Sequence, residues 1–218
     1  MTVSKGSRKD FRKYLTITGL VGTLAIGTVI GRGLMVTDGE LVTEVIDGDS
    51  FKIENKQTIR LASLNAPAME FCMGKEAKDA LAKKILGKRV ILRDLKTDIF
   101  RRILALVYVN GKLVNEEIIR EGLASSTRET KVVKAANDYA REHELGIYSA
   151  RCRQINPPDP KCAIKGNIDD RTGKKEYLTV GCPDYTKTII EKNMGEDWFC
   201  TESEAKKDGY IKSSSCSR

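Results

Sequence analysis

Apolar and polar positions alternate over residues 39 to 46, GELVTEVI, and again over 50 to 53, SFKI, with a tight DGD turn between them. A period of two puts one face of each run against a core, so two half-buried strands are predicted. TIRLASL, 58 to 64, follows the polar turn ENKQ and predicts a third strand. From Gly74 to Leu86 the period changes: Ala77, Ala80, Leu81 and Ile85 recur at helical spacing while Lys75, Lys78, Lys83 and Lys84 face away. RVILRDL, 89 to 95, and ILALVYV, 103 to 109, return to strand character, and Asn110-Gly111 is a two-residue hairpin turn back into KLV. Asn115 is placed to cap a short helix, NEEIIREGLA, whose first-turn acids suit the helix dipole. A further helix is predicted from about Val132 to Leu145.

Strands, helix, strand pair, helix, helix fit a small closed β-barrel of the OB type with helices packed on it. INPPDP, 155 to 160, breaks regular structure and marks a linker before a tail rich in cysteine. The expected organisation is a basic segment with membrane anchor or signal over 1–36, a barrel domain over 37–150, a linker over 151–161 and a cysteine-containing module over 162–218.

The formal net charge is +8, but five of those charges belong to residues 1–36. Residues 37–150 carry 19 basic and 18 acidic side chains, so any electrostatic footprint for phosphates is local. The basic start precedes YLTITGLVGTLAIGTVIG, 14 to 31, an uncharged run close to the ~20 residues that span a bilayer core. A buried core helix is disfavoured by its threonines and glycines. A cleaved signal peptide is the closer rival, but no small-x-small site follows, and an uncleaved anchor is favoured. Cations before the span stay in the cytoplasm, which puts residues 37–218 outside it, in a bacterial envelope, or secreted if the segment is cleaved. Cysteine usage agrees: five of the six lie between Cys152 and Cys216, an arrangement that suggests disulfides. Zinc is the rival, with no CxxC pair and one histidine, His143, in a helical stretch.

VIDGDSFKI, IRLASLNAP, GKEAKDALAKKILGKRV, LKTDIFRRILALVYVNGKLVNEEIIREGLA and REHELGIYS, in this order over roughly 40 to 150, closely resemble the staphylococcal nuclease-like, or thermonuclease, family. The resemblance implies an OB barrel and calcium-dependent hydrolysis of phosphodiesters in DNA and RNA. That chemistry needs a hard cation on oxygen ligands, guanidiniums matched to phosphate oxygens, and a carboxylate to deprotonate water. By resemblance, Asp49 is the first metal-binding aspartate, and Arg60 and Arg102 are the phosphate-binding arginines. Asn65 stands where the second metal-binding aspartate belongs, and the Ala66 carbonyl is the backbone ligand. Ala68 takes the place of the water-activating glutamate, and Arg101 that of the glycine before the second arginine. General-base catalysis is worth about 10²- to 10⁴-fold, and loss of a ligand charge weakens calcium binding. Glu70 is the one nearby acid that a shift around Pro67 would bring into the vacancy.

Plainer roles stand beside these. Asp47 and Asp49 also suit turn building, Arg60 and Arg102 suit solvated strand positions, and the lysines of 75 to 84 suit a solvated helix face. Met69, Phe71 and Met73 suit loop packing. The tail resembles a small module often found after nuclease-like domains, through IKGNI, GEDWFC and the later EA and DGY elements. Trp198 and Phe199 are expected in its disulfide-stapled core, an aromatic ligand platform being the alternative. Three functions remain: an impaired family member that binds nucleic acid or another phosphodiester without cutting, an active calcium-dependent phosphodiesterase using Glu70 or another acid, and an envelope protein-interaction module.

Overall fold

The computed structural model describes residues 39–127 and 130–217. The expected anchor or signal at 14 to 31 lies outside the described residues. Among those described, no helix is long and apolar enough to cross a membrane.

Strands β1 (Glu40–Val45), β2 (Ser50–Ile53) and β3 (Thr58–Leu61) form an antiparallel meander in which Ser50 faces Arg60. The third run is shorter than its sequence pattern, because Ser63 turns the chain with a positive φ of 65° and Leu64–Asn65 become β4. After helix α1 (Gly74–Ile85) come β5 (Arg89–Thr97) and β6 (Ile103–Val109), paired antiparallel. β1 also pairs with β5. A parallel pairing of β3 with β6, with Arg60 facing Leu104, closes the sheet into a five-stranded barrel. Closure leaves no open edge between these strands. β7 (Lys112–Leu113) leads into α2 (Val114–Arg120), β8 (Ser125–Ser126) pairs with β4, and α3 (Lys131–Glu142) follows.

The inward positions of the alternating runs, Val42, Phe51, Ile53, Ile59, Leu61, Ala105 and Val107, fill the barrel. Ala77, Leu81 and Ile85 of α1 and Ile118 and Ile119 of α2 cover it. Asn115 does not cap α2: Leu113 holds the N-cap position, and the fully buried Asn115 amide bonds the barrel wall. It accepts from Val107 N–H at 2.9 Å and donates to the Ala62 and Ala105 carbonyls at 2.9 and 3.1 Å. Backbone groups between β3 and β6 are thereby satisfied inside a packed region, where helix-terminal solvent bonds are unavailable. Lys84 is not a free surface cation either. It bridges to Glu117 and Glu121 of α2 at 3.2 and 2.7 Å, holding one helix to the other.

Beyond the barrel, β9 (Arg153–Gln154) lies within the stretch expected as a linker and pairs with β12 (Ile190–Glu191). β10 (Ile164–Ile168), β11 (Lys175–Leu178), β13 (Asp197–Phe199) and β14 (Ile211–Lys212) form a second sheet in the order β13-β10-β11-β14. Helix α4 (Glu202–Lys207) opens with a capping box between Thr201 and Glu204. Tyr177, Phe199, Ala205 and Tyr210 make a core of only four buried side chains. Two disulfides, Cys162–Cys200 and Cys182–Cys216, supplement it, and Cys72–Cys152 ties the barrel to the module. The zinc alternative is thereby excluded for these cysteines, since none is free. Trp198 corrects the expectation of a paired aromatic core. Successive strand residues face opposite ways, so Phe199 enters the core while the Trp198 indole N–H donates to Gln154 Oε1 at 2.8 Å.

Candidate active site

The site begins with the turn between β1 and β2. Asp47 Oδ1 accepts from Asp49 N–H at 3.0 Å, and Ile46 N–H donates to the Ser50 carbonyl at 2.9 Å. The turn is pressed onto α1, since a Cβ on Gly48 would come within 2.6 Å of the Ala77 side chain and 2.7 Å of Ala66. Glycine is therefore required to seat Asp49. The residue is 2% exposed and its carboxylate is fully engaged. Oδ1 accepts from Ser50 Oγ at 2.9 Å and from Arg60 Nη1, and Oδ2 accepts from Ala66 N–H at 3.0 Å. Burial raises the Asp49 carboxyl above its usual range, against the pull of the Ala66 N–H and the Arg60 guanidinium.

Arg60 reaches this carboxylate from β3, and its Nη2 donates to Asn65 Oδ1 at 2.7 Å. One guanidinium thus joins Asp49 to Asn65. Around it lies a cavity of about 520 Å³ lined by Asp47, Asp49, Arg60, Asn65, Ala66, Ala68 and Glu70, among others. Ala68 stands at the rim with a methyl group, and the nearest carboxylate on that loop is the exposed Glu70.

Arg102 is not among the residues lining this cavity. Its Nε donates to Asp98 Oδ2 at 2.8 Å, while Asp98 Oδ1 accepts from the Phe100 and Arg102 N–H groups, both at 2.9 Å. Burial works against the charge on Asp98, but these N–H donors and the guanidinium prevail and hold its carboxyl below the usual range. Arg101 between them has a φ of 62°, a left-handed conformation that favours glycine.

A calcium ion at such a site needs six to eight oxygens at about 2.3–2.6 Å. Of the positions that resemblance marks as ligands, Asp49 offers a carboxylate whose two oxygens are already bonded, Asn65 an amide and Ala66 a carbonyl, while the carboxylates of Asp47 and Glu70 also line the cavity. Among the described residues no group of three His, Cys, Asp or Glu side chains could hold a metal.

Two lining residues, Asn193 and Met194, come from the C-terminal module rather than the barrel. Nothing in their spacing announced this. Their position follows from the Cys72–Cys152 bridge, from Cys72 N–H donating to the Lys192 carbonyl at 3.3 Å, and from Lys192 N–H donating to the Cys152 carbonyl at 2.8 Å.

Comparison with known proteins agrees with the barrel. Residues 58–150 match the family described as staphylococcal nuclease homologue. The chain is similar to a staphylococcal-like nuclease of Arabidopsis thaliana, 30% identical over 50% of this chain but 33% of that protein. It is also similar to a protein described as an uncharacterized endonuclease of Haemophilus influenzae, 25% identical over 65% of this chain and 81% of that one. A Bacillus anthracis protein is 30% identical over 66% of this chain and 65% of its own length. Residues 58–150, which include β3, β5 and β6 of the barrel, are thus similar to the staphylococcal nuclease-like family.

Proposed function

We propose that the domain binds a phosphodiester of nucleic acid at the Asp49–Arg60–Asn65 pocket and hydrolyses it slowly or not at all. The observation that carries this reading is the Arg60 guanidinium, held between Asp49 and Asn65 at a cavity whose rim presents Ala68 in place of a carboxylate. A planar fork of N–H donors matches two phosphate oxygens. The charge and the water-activating base that hydrolysis needs are both reduced: Asn65 supplies an amide where an anionic ligand would hold calcium, and a methyl group cannot take a proton. On this reading calcium binds weakly, and the N-terminal segment holds the domain at the membrane with the pocket outside the cytoplasm.

The test is a cleavage assay of the full chain on DNA and RNA, with calcium and with chelator, beside an Asn65→Asp plus Ala68→Glu double variant. Salt-sensitive binding by the unmodified chain, with cutting restored only in the double variant, is expected. A second reading, an active phosphodiesterase, has one observation in its favour: Glu70 lines the same cavity as Arg60. Calcium-dependent cutting by the unmodified chain that Glu70→Gln abolishes would establish that reading in place of the first. Neither cutting nor salt-sensitive binding by either protein would leave a protein-interaction role.

A further inference from the structure

The hairpin that joins β5 to β6 carries the two most exposed large hydrophobic side chains among the described residues, Ile99 at 90% and Phe100 at 71%. They are adjacent, and Leu95 on the same hairpin is exposed as well. Single exposed apolar residues are ordinary, but neighbours of this size mark an interaction surface. We propose that this tip docks on an anionic lipid surface, with Ile99 and Phe100 entering the boundary of the hydrocarbon and Lys96 and Arg101 lying among the headgroup phosphates. The inference is independent of the phosphodiester reading, since neither Ile99 nor Phe100 lines the cavity beside Arg60.

The tip is closed on itself. Thr97 still pairs with Ile103, after which Asp98 N–H donates to the Arg102 carbonyl and Arg101 N–H to the Asp98 carbonyl, both at 3.0 Å. The Asp98 carboxylate takes the Phe100 and Arg102 N–H groups and the Arg102 guanidinium. The turn is thus held by its own backbone and by Asp98, and its two apolar side chains are left outside. The Arg102 guanidinium also lies over the Phe100 ring, 5.2 Å from its centroid, which positions the ring without covering it. A tip ordered in advance loses little entropy when it docks.

Charge and size select the partner. Residues Arg93 to Arg102 hold four cations and two acids, a surplus of two in a domain, 37–150, whose whole surplus is one. Asp98 is occupied by Arg102, while Lys96 and Arg101 are exposed. Each cation close to an anionic bilayer favours the bound state about fivefold. Two or three apolar side chains are too few for a protein partner, because a stable interface buries about 800 Å² on each side. A bilayer needs no such area: its boundary takes a few large side chains by depth, and its charge adds attraction. Nucleic acid fits less well, since Ile99 offers it neither a π face nor a hydrogen bond and Arg102 is already committed to Asp98.

Phe100→Trp puts a fluorescent reporter in the tip, and the parent, whose one tryptophan is Trp198 in the C-terminal module, is its baseline. Full-length chains are mixed with vesicles of phosphatidylcholine alone, or of phosphatidylcholine with phosphatidylglycerol, each with and without brominated acyl chains. The Phe100→Trp emission is expected to shift to the blue and to be quenched by bromine beyond that of the parent, more in the anionic vesicles than in the neutral ones and less at high salt. Adding Ile99→Asp should abolish this excess, and adding Lys96→Gln should lower the ratio of docked to undocked tip about fivefold. These positions are exposed, so the fold is not at stake. Every variant carries the same N-terminal segment, so differences between them report the tip. Quenching in anionic vesicles no greater than the parent's, or equal in neutral and anionic vesicles, would overturn the proposal. A change in the reporter's emission on adding an oligonucleotide, with none on adding anionic vesicles, would assign the tip to nucleic acid instead.

Discussion

Arg60 Nη2 lies 2.7 Å from the Asn65 side-chain oxygen, so one guanidinium bridges β3 to the residue that resemblance marks as a lost metal ligand. Replacing that amide by a carboxylate returns an anionic oxygen beside Asp49. Asn65→Asp is expected to tighten calcium binding about tenfold or more, because affinity follows the number of charged ligands. The stronger pull of Arg60 on a carboxylate at this position offsets part of the gain. Calorimetric titration of calcium into both proteins measures it; unchanged affinity would show that the side-chain oxygens of the two positions do not converge.

Arg101 holds a left-handed backbone at φ 62° between Phe100 and Arg102. A side chain there is strained while glycine is not, so Arg101→Gly is expected to stabilise the native turn by about 0.5–1 kcal/mol, less the entropy glycine adds to the unfolded chain. The urea midpoint of the variant should match or exceed that of the parent. A clear fall would mean that the Arg101 side chain makes a stabilising contact larger than the backbone strain.

Asn115 makes three hydrogen bonds with no exposure to solvent. Asn115→Ala strands one N–H and removes donors from two carbonyls inside the barrel wall, at about 1–3 kcal/mol for each buried group left unpaired. A loss of roughly 3 kcal/mol or more in denaturant unfolding is expected, with the slope unchanged. A loss below about 1 kcal/mol would mean that water replaces the amide.

Much of this architecture is written in local pattern. ILALVYV maps onto β6 residue for residue, and the helix expected from Gly74 to Leu86 onto α1 to within one residue, because a period of 2 or 3.6 survives burial of one face. Asp49, Arg60 and Asn65 meet through the register that sets Ser50 opposite Arg60. What could not be read locally depends on pairing over distance. The Cys72–Cys152 bridge spans 80 residues and, with the backbone hydrogen bonds of Lys192 to both cysteines, brings Asn193 and Met194 to the pocket. Asn115 resembles a cap in sequence, and only the closing contact of β3 with β6 reveals a buried cross-link. Arg102 is paired with Asp98 in the folded turn and does not line the cavity, a placement that the spacing of the two arginines does not reveal.

Glu196 is the last group whose surroundings fix an outcome. Its Oε1 accepts from Ile168 N–H at 2.8 Å and its Oε2 from Glu191 N–H at 2.7 Å, and the residue is buried. Burial pushes its carboxyl up to about 7, the two N–H donors pulling down and the Glu191 carboxylate adding to the rise. A folded-state value above the ordinary 4.5 means that the folded protein binds the proton more tightly than the unfolded chain. This contribution to stability is therefore fully present below about pH 4.5, shrinks as pH rises toward 7, and is gone above it. Its size is about 3 kcal/mol at most. Thermal unfolding of the parent should show this loss between about pH 5 and pH 8 on top of other titrations. Glu196→Gln turns an amide N–H₂ toward one of the two backbone donors, so the variant should be less stable than the parent at the acid end by about 1–3 kcal/mol. It should also lose this part of the pH dependence, leaving the two curves closest at the alkaline end. A parent curve and a variant curve that run parallel over the whole range would show that Glu196 does not titrate there.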